Sequence, residues 1–241
     1  MTIAVFTKAL DYIRGGGDYA ISVPPFDGAL RPNERIEEGR IACSIADPDN
    51  LVRTPQGILF SADRSLLRLR PGEAPDVVHQ FPSPITALAA TGEALAIGLE
   101  AGGVLLRGGP FDGLALDTLE GTTLNCATAL AFEAPGVLIV ANGSARHRPA
   151  YWKHDLMNGG RTGSVWRIDL GTGRAARLAD GLAYPYGLLP LADGSLVYCE
   201  SWRHRLVLGG ASNNLIGKFA RSVWVFANGE IVTAVRPCRR F

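Results

Sequence analysis

"AYPYGLLPLADGSLVYCESWRHRLVL" (residues 183–208) holds two short apolar runs about a polar turn, then a cluster of charge and aromatics from Glu200 to Arg205. Each run has the length of a strand, and Asp193-Gly194 is a turn that reverses a hairpin. An isolated hairpin is too small to be stable, so something must cover it.

The same plan recurs along the chain. "NLVRTPQGILFS", "ITALAATGEALAIG", "ATALAFEAPGVLIVANG" and "YGLLPLADGSLVYCES" each pair two apolar runs across a turn, with glycine at 57, 92, 136 and 194. The turns recur at intervals of 35, 44 and 58, and a weaker copy, "SVWVFANGEIVTAV", centres 35 further on at Gly229. A third run follows each of the first four hairpins ("SLLRLRP", "GVLLRGG", "GSVWRIDL", "HRLVL"). A fourth follows the first three ("PDVVHQF", "LALDTL", "AARLADGL"). Four strands per unit at this period predict an all-β chain with β-propeller architecture. One such sheet cannot bury both faces; stacked twisted blades cover each other and leave only short edges. The innermost strands are expected near residues 51–55, 84–89, 128–133 and 186–191. A sandwich or barrel of the same hairpins is the competing arrangement. The only helix candidate is "TIAVFTKALDYIR" near the N-terminus.

The length fits one large all-β or α/β domain, or two small ones, and the glycine and proline content suits a turn-rich one. The 241 residues are 47% hydrophobic and 20% charged, with 29 glycines and 15 prolines. A net charge of +1 gives no basic surface for nucleic acid. Cys43, Cys126, Cys199 and Cys238 lie far apart without a CxxC and read as reduced, mostly buried thiols. No signal peptide is evident, and no run approaches the roughly 18 apolar residues of a membrane span. The expectation is a soluble, cytoplasmic protein without membrane partners. In that setting the "NGS" sequon at 142–144 carries no sugar.

The stretch "GSVWRIDLGTGRAARLADGLAYPYGLLPLADGSLVYCESWRHRL" resembles the strictosidine synthase-like proteins, relatives of the gluconolactonase (regucalcin) and paraoxonase propellers. The likeness is specific over residues 161–207 and looser from about 47. Residues 1–46, with "VPPFDGALRPNERIEEG", resemble a lead-in segment, so blades are expected over 47–241, with 208–241 poorly matched. The resemblance implies a six-bladed ring, of which four to five blades are recognisable here. An incomplete ring should leave apolar blade surface and favour self-association.

In the hydrolytic relatives a calcium-like ion sits at the top of the central channel and polarises an ester or lactone carbonyl. The matching positions here are Asp49 and Asn50, both able to coordinate, then Ala127, which cannot, with Asn125 nearby, and Tyr186 in place of an asparagine. Calcium is therefore a doubtful cofactor. A real site would stabilise by about 2.7 kcal/mol at a hundredfold excess, and no such gain is expected. The acid/base glutamate that strictosidine synthase takes from its last blade has no counterpart. Catalytic candidates are Asp49, Glu200 and His204, although an ion pair of Glu200 with Arg203 or Arg205 explains that glutamate as well.

Loops on one face of the wheel would gather Asp49, Asn50, Tyr186, the 200–205 turn and the long insertion "NGSARHRPAYWKHDLMNGGRTG" (142–163). Arg148, Arg203 and Arg205 could fork onto an anion while Trp152 or Trp202 offers a flat platform. The alternative is that the arginines pair with Glu200 and Asp155. No Ser-His-Asp spacing, P-loop or G-x-S-x-G is present. Two functions stand: an enzyme acting on a small ester, lactone or secondary metabolite, as hydrolase or lyase, and a non-catalytic propeller holding an anionic or aromatic small molecule or a protein partner.

Overall fold

Four sheets, each a four-stranded antiparallel meander, follow one another along the chain. The computed structural model describes residues 41–209 and, beyond them, the backbone of three strands at 214–218, 222–225 and 231–234. Blade 1 comprises β1 (Pro48–Thr54), β2 (Gly57–Ala62), β3 (Ser65–Leu69) and β4 (Asp76–Gln80). Blade 2 comprises β5 (Ile85–Thr91), β6 (Ala94–Leu99), β7 (Val104–Arg107) and a two-residue β8 (Ala115–Leu116). A small ribbon, β9 (Thr118–Leu119) and β10 (Thr122–Thr123), leads into blade 3. That blade holds β11 (Ala127–Ala134), β12 (Val137–Asn142), β13 (Gly163–Asp169) and β14 (Ala175–Leu182). Blade 4 holds β15 (Pro185–Pro190), β16 (Leu196–Glu200), β17 (Arg205–Gly209) and β18 (Asn214–Lys218), and the hairpin β19 (Ser222–Val225) and β20 (Ile231–Ala234) follows.

The first strands neighbour one another in order, β1 on β5, β5 on β11, β11 on β15 and β15 on β19, so they are the innermost strands. They overlap all four expected positions. Two strands depart from the sequence reading. The fourth strand of blade 2 shrinks to two residues, with "DTL" diverted into the ribbon, and blade 4 gains a fourth strand where no match was seen. The N-terminal helix, the lead-in segment through residue 40, the Gly229 turn and Cys238 lie outside the described residues. So does the closure of the ring beyond residue 209.

Alternation along the second strands builds the core. In β12, Leu138 and Val140 join a cluster with Val104 and Leu106 of blade 2, while Ile139 and Ala141 join Leu188, Leu196 and Tyr198 of blade 4. In β6, Ile97 packs with Leu59 and Leu66 of blade 1 and Ala96 with Leu130 of blade 3. A strand covered on both faces must be apolar at every position, which is why "VLIVA" and "ALAIGL" show no polar alternation. Trp166, fully buried, donates its Nε1–H to Ser164 Oγ at 2.8 Å and lies under the Arg177 guanidinium. Removing such a side chain costs about 3–5 kcal/mol.

The 142–163 insertion is not a plain loop. Pro149–Tyr151 forms a 3-10 turn that runs into α1 (Trp152–Met157), the α-helix of the described residues. Pro149 stands at the first helical position, where its missing N–H is harmless. The helix ends where Asn158 donates to His154 O and Gly159, at φ 61°, takes the left-handed conformation that closes helices. The sequence reading missed α1 because six residues span too few turns to show a helical period.

Candidate functional site

The starts of the innermost strands and the turns between second and third strands share one end of the blades, called here the rim. Ile85 N–H donates to Asp63 O, Gly143 N–H to Cys126 O and Ser201 N–H to Tyr184 O, each tying such a turn to such a start.

On blade 1, Asp49 and Asn50 sit at a bulge in β1. Asn50 adopts φ 50°, a conformation asparagine tolerates. Its backbone N–H donates to Asp49 Oδ1 at 2.9 Å, and its Nδ2–H donates to Ser61 Oγ at 3.1 Å. Ser61 in turn donates to Asp49 O at 3.0 Å. This pair braces its own turn and leaves one oxygen of each side chain for other partners. On blade 3, Ala127 is buried and its carbonyl accepts the Thr86 hydroxyl at 2.6 Å. Asn142 clamps the approach to β11, accepting Cys126 N–H and donating to Thr123 O, both at 3.2 Å. Asn125 Oδ1 is buried and finds no hydrogen-bond partner among the described residues, and the same holds for Ser201 Oγ.

Blade 4 contributes aromatic rings. Tyr186 stacks on Tyr184 (centroids 6.4 Å apart), Tyr184 on Trp202 (4.3 Å), and Trp202 lies against Trp152 of α1 (5.7 Å). The column runs from the innermost strand of blade 4 to the insertion, which joins two segments that the sequence reading had placed on one face. Asp155 secures the joint. It is buried, accepts Ser144 Oγ–H at 2.7 Å and Trp202 Nε1–H at 3.0 Å, and receives Gly160 N–H on its carbonyl. A Cβ on Gly160 would collide with this carboxyl group. The expectation that arginines of the loop pair with Asp155 is therefore corrected: its side chain faces inward, onto neutral donors.

Glu200, also fully buried, pairs with Arg205 Nε and Arg203 Nη1 and accepts Ala183 N–H at 2.9 Å. Both arginines are thus engaged, which corrects their reading as free forks. Arg148 is exposed before the 3-10 turn, and His204 takes φ 50° at the end of the Ser201–Arg203 turn. Burial pushes the Cys126 thiol up to about 12, although Tyr184 Oη lies 3.8 Å away, and burial followed by Cys126 raises the Tyr184 hydroxyl. A thiol so placed is no nucleophile. Sequence reasoning passed over Ser144 and Tyr184 as site residues and read Asp155 only as an arginine partner. A signal was present in "NGS", where Ser144 Oγ accepts the N–H groups of Arg146 and His147 to form a local turn.

A calcium ion needs six to eight oxygens from converging groups. The rim offers Asp49, Asn50 and Asn125 from two blades, against the Ala127 methyl and the Tyr186 ring. Among the described residues no three His, Cys, Asp or Glu side chains cluster to hold a metal. The residues do not fit the ion. Two clefts, of about 280 and 420 Å³, open around the β5–β6 turn and share Glu93 and Ala94, the first running between blades 1 and 2 as far as Leu66 and Phe81. They are apolar crevices between turns and bring none of the candidate residues together.

These features define an all-β protein of the β-propeller class. Two solved propellers are similar to it. One is a candidate gluconolactonase, 16% identical with a TM-score of 0.62, the match covering 80% of this chain and 73% of that one. The other is a gluconolactonase of Xanthomonas campestris, 15% identical with a TM-score of 0.60, over 77% of this chain and 69% of that one. No protein-family model and no curated protein matches the sequence.

Proposed function

We propose that this chain is a hydrolase-class propeller of the gluconolactonase type, taking a small hydroxylated lactone or ester at the rim. The observation that carries the reading is Asn125 Oδ1, a buried acceptor beside the start of β11 with no partner among the described residues. Such an atom costs about 1–3 kcal/mol unless a donor arrives, and a sugar-like hydroxyl supplies one. The similar folds give the lactone class its support. Asp49, exposed beside Asn50, is the carboxylate proposed to act as general base toward water. Glu200, buried and paired with two arginines, is poorly placed for that role. The test is hydrolysis of a panel of aldonolactones and aryl esters by the purified chain, with and without calcium. Turnover independent of calcium and lost in Asp49→Asn supports the proposal; turnover unchanged in Asp49→Asn removes it.

A second reading is favoured by Ala127 and Tyr186: a propeller that binds the same ligand without turning it over. Saturable binding that weakens in Asn125→Ala, with no hydrolysis in the panel, selects it.

A further inference from the structure

Four large apolar side chains reach solvent within seven residues of the insertion: Tyr151 is 56% exposed, Trp152 38%, Leu156 43% and Met157 86%. Single exposed apolar residues are ordinary, but a contiguous set marks a contact surface. At about 100° per residue, Leu156, Lys153 and Met157 fall on one arc between Trp152 and His154, and Asp155 faces away from it. That inward residue is the sole acid of residues 142–163. Arg146, Arg148, Lys153 and Arg161 are all exposed and join no ion pair among the described residues. With histidines neutral the insertion carries +3 in a chain of net +1, leaving −2 for the remainder. Positive charge is thus concentrated where apolar groups protrude.

We infer that this insertion docks the protein on an anionic lipid surface. The patch is an exposed turn and helix that lines neither of the clefts described above, so those offer a small ligand no enclosure here. A purely polar polyanion would satisfy the cations but leave Met157 and Leu156 without an apolar partner. A bilayer interface uses both kinds of group. Trp152, Tyr151, Leu156 and Met157 enter the boundary between headgroups and acyl chains, and the cations beside them meet the phosphates. Lys153 Nζ, 5.6 Å from the Trp152 ring, shows the two kinds interleaved. The contact is peripheral: no described helix is long and apolar enough to cross a membrane. The inference is independent of the reaction proposed at the rim.

The test is co-sedimentation of the full chain with vesicles of phosphatidylcholine alone or mixed with phosphatidylserine. Binding to the mixed vesicles should be about tenfold stronger or more, and should weaken with added salt. Met157→Asp, at a site too exposed to disturb folding, should lower that binding about tenfold at an unchanged melting temperature. The double reversal Arg148→Glu with Lys153→Glu should do the same. Equal binding to both vesicle types overturns the inference. So does binding that ignores Met157→Asp and is competed by polyglutamate, which assigns the patch to an acidic macromolecule.

Discussion

Glu200 and Asp155 are buried carboxyl groups on the same rim, held by opposite means. Glu200 meets two guanidinium groups from its own hairpin and the backbone N–H of Ala183, two residues before β15. Asp155 meets a serine hydroxyl from its own insertion and an indole N–H from the neighbouring blade. The first carboxylate closes a turn within one blade. The second joins two segments 47 residues apart and meets no cation among the described residues. Charge neutralisation thus serves local structure here, and neutral hydrogen bonds serve the connection between blades.

The largest effect is expected for Glu200→Ala. It strips two arginines and one buried N–H of their partner and should cost about 3–5 kcal/mol, read from urea unfolding. Arg203→Ala alone should cost much less, because Arg205 stays on the carboxylate. A loss for Glu200→Ala within about 0.5 kcal/mol, as for an ordinary surface change, would dissolve the distinction.

Asp155→Ala should cost about 2 kcal/mol, less than Glu200→Ala, and should expose the insertion to protease while blade 1 stays intact. Trp202→Phe keeps the ring column and removes the donor, so a double-mutant cycle with Asp155→Ala should return a coupling of about 1 kcal/mol. Zero coupling would mean that ring stacking, not the hydrogen bond, holds the insertion.

A third buried group on the rim sharpens the contrast through pH. Burial raises the folded-state pKa of Cys126 to about 12, and likewise that of Cys199. The folded protein therefore holds these protons to higher pH than the unfolded chain, whose thiols titrate near 8.5. The stability they contribute is full below that value and falls as pH rises toward about 12. By pH 9 the loss should be about 1 kcal/mol per thiol, measured as a falling urea midpoint whose slope shrinks in Cys126→Ala. In the folded protein Cys43, partly exposed, should react with a thiol reagent before either buried cysteine.

The blades were legible because their physics is local. A strand covered on both faces must be apolar throughout, and "ATALAFEAPGVLIVANG" shows this together with the Gly136 turn. The insertion was legible as an insertion but not as a helix, since α1 has no repeating apolar face. Its inward residue is an aspartate, which sequence alone reads as a solvated partner for nearby arginines. Asp49 and Asn50 could be named from sequence. That their contacts turn back onto Ser61 depends on a bulge, and no composition rule marks it. Asn125 could be named as a weak substitute for Ala127. Its unmet acceptor emerges only once Asn142 is seen to take the neighbouring N–H.

In a ring of stacked blades each sheet ordinarily feels only its two neighbours, as in a one-dimensional chain of coupled units. The 142–163 insertion reinforces both of blade 3's neighbour interfaces at once. It receives Glu100 Oε1 of blade 2 on the Ala150 N–H and sends Asp155 and Trp152 to Trp202 of blade 4, while both its ends belong to blade 3. Blades 2, 3 and 4 are thereby strapped into one cooperative block. Blade 1 receives no such strap among the described residues and meets the block through a face-to-face cluster with blade 2, so amide exchange in β1–β4 should be decoupled from exchange in blades 2 to 4.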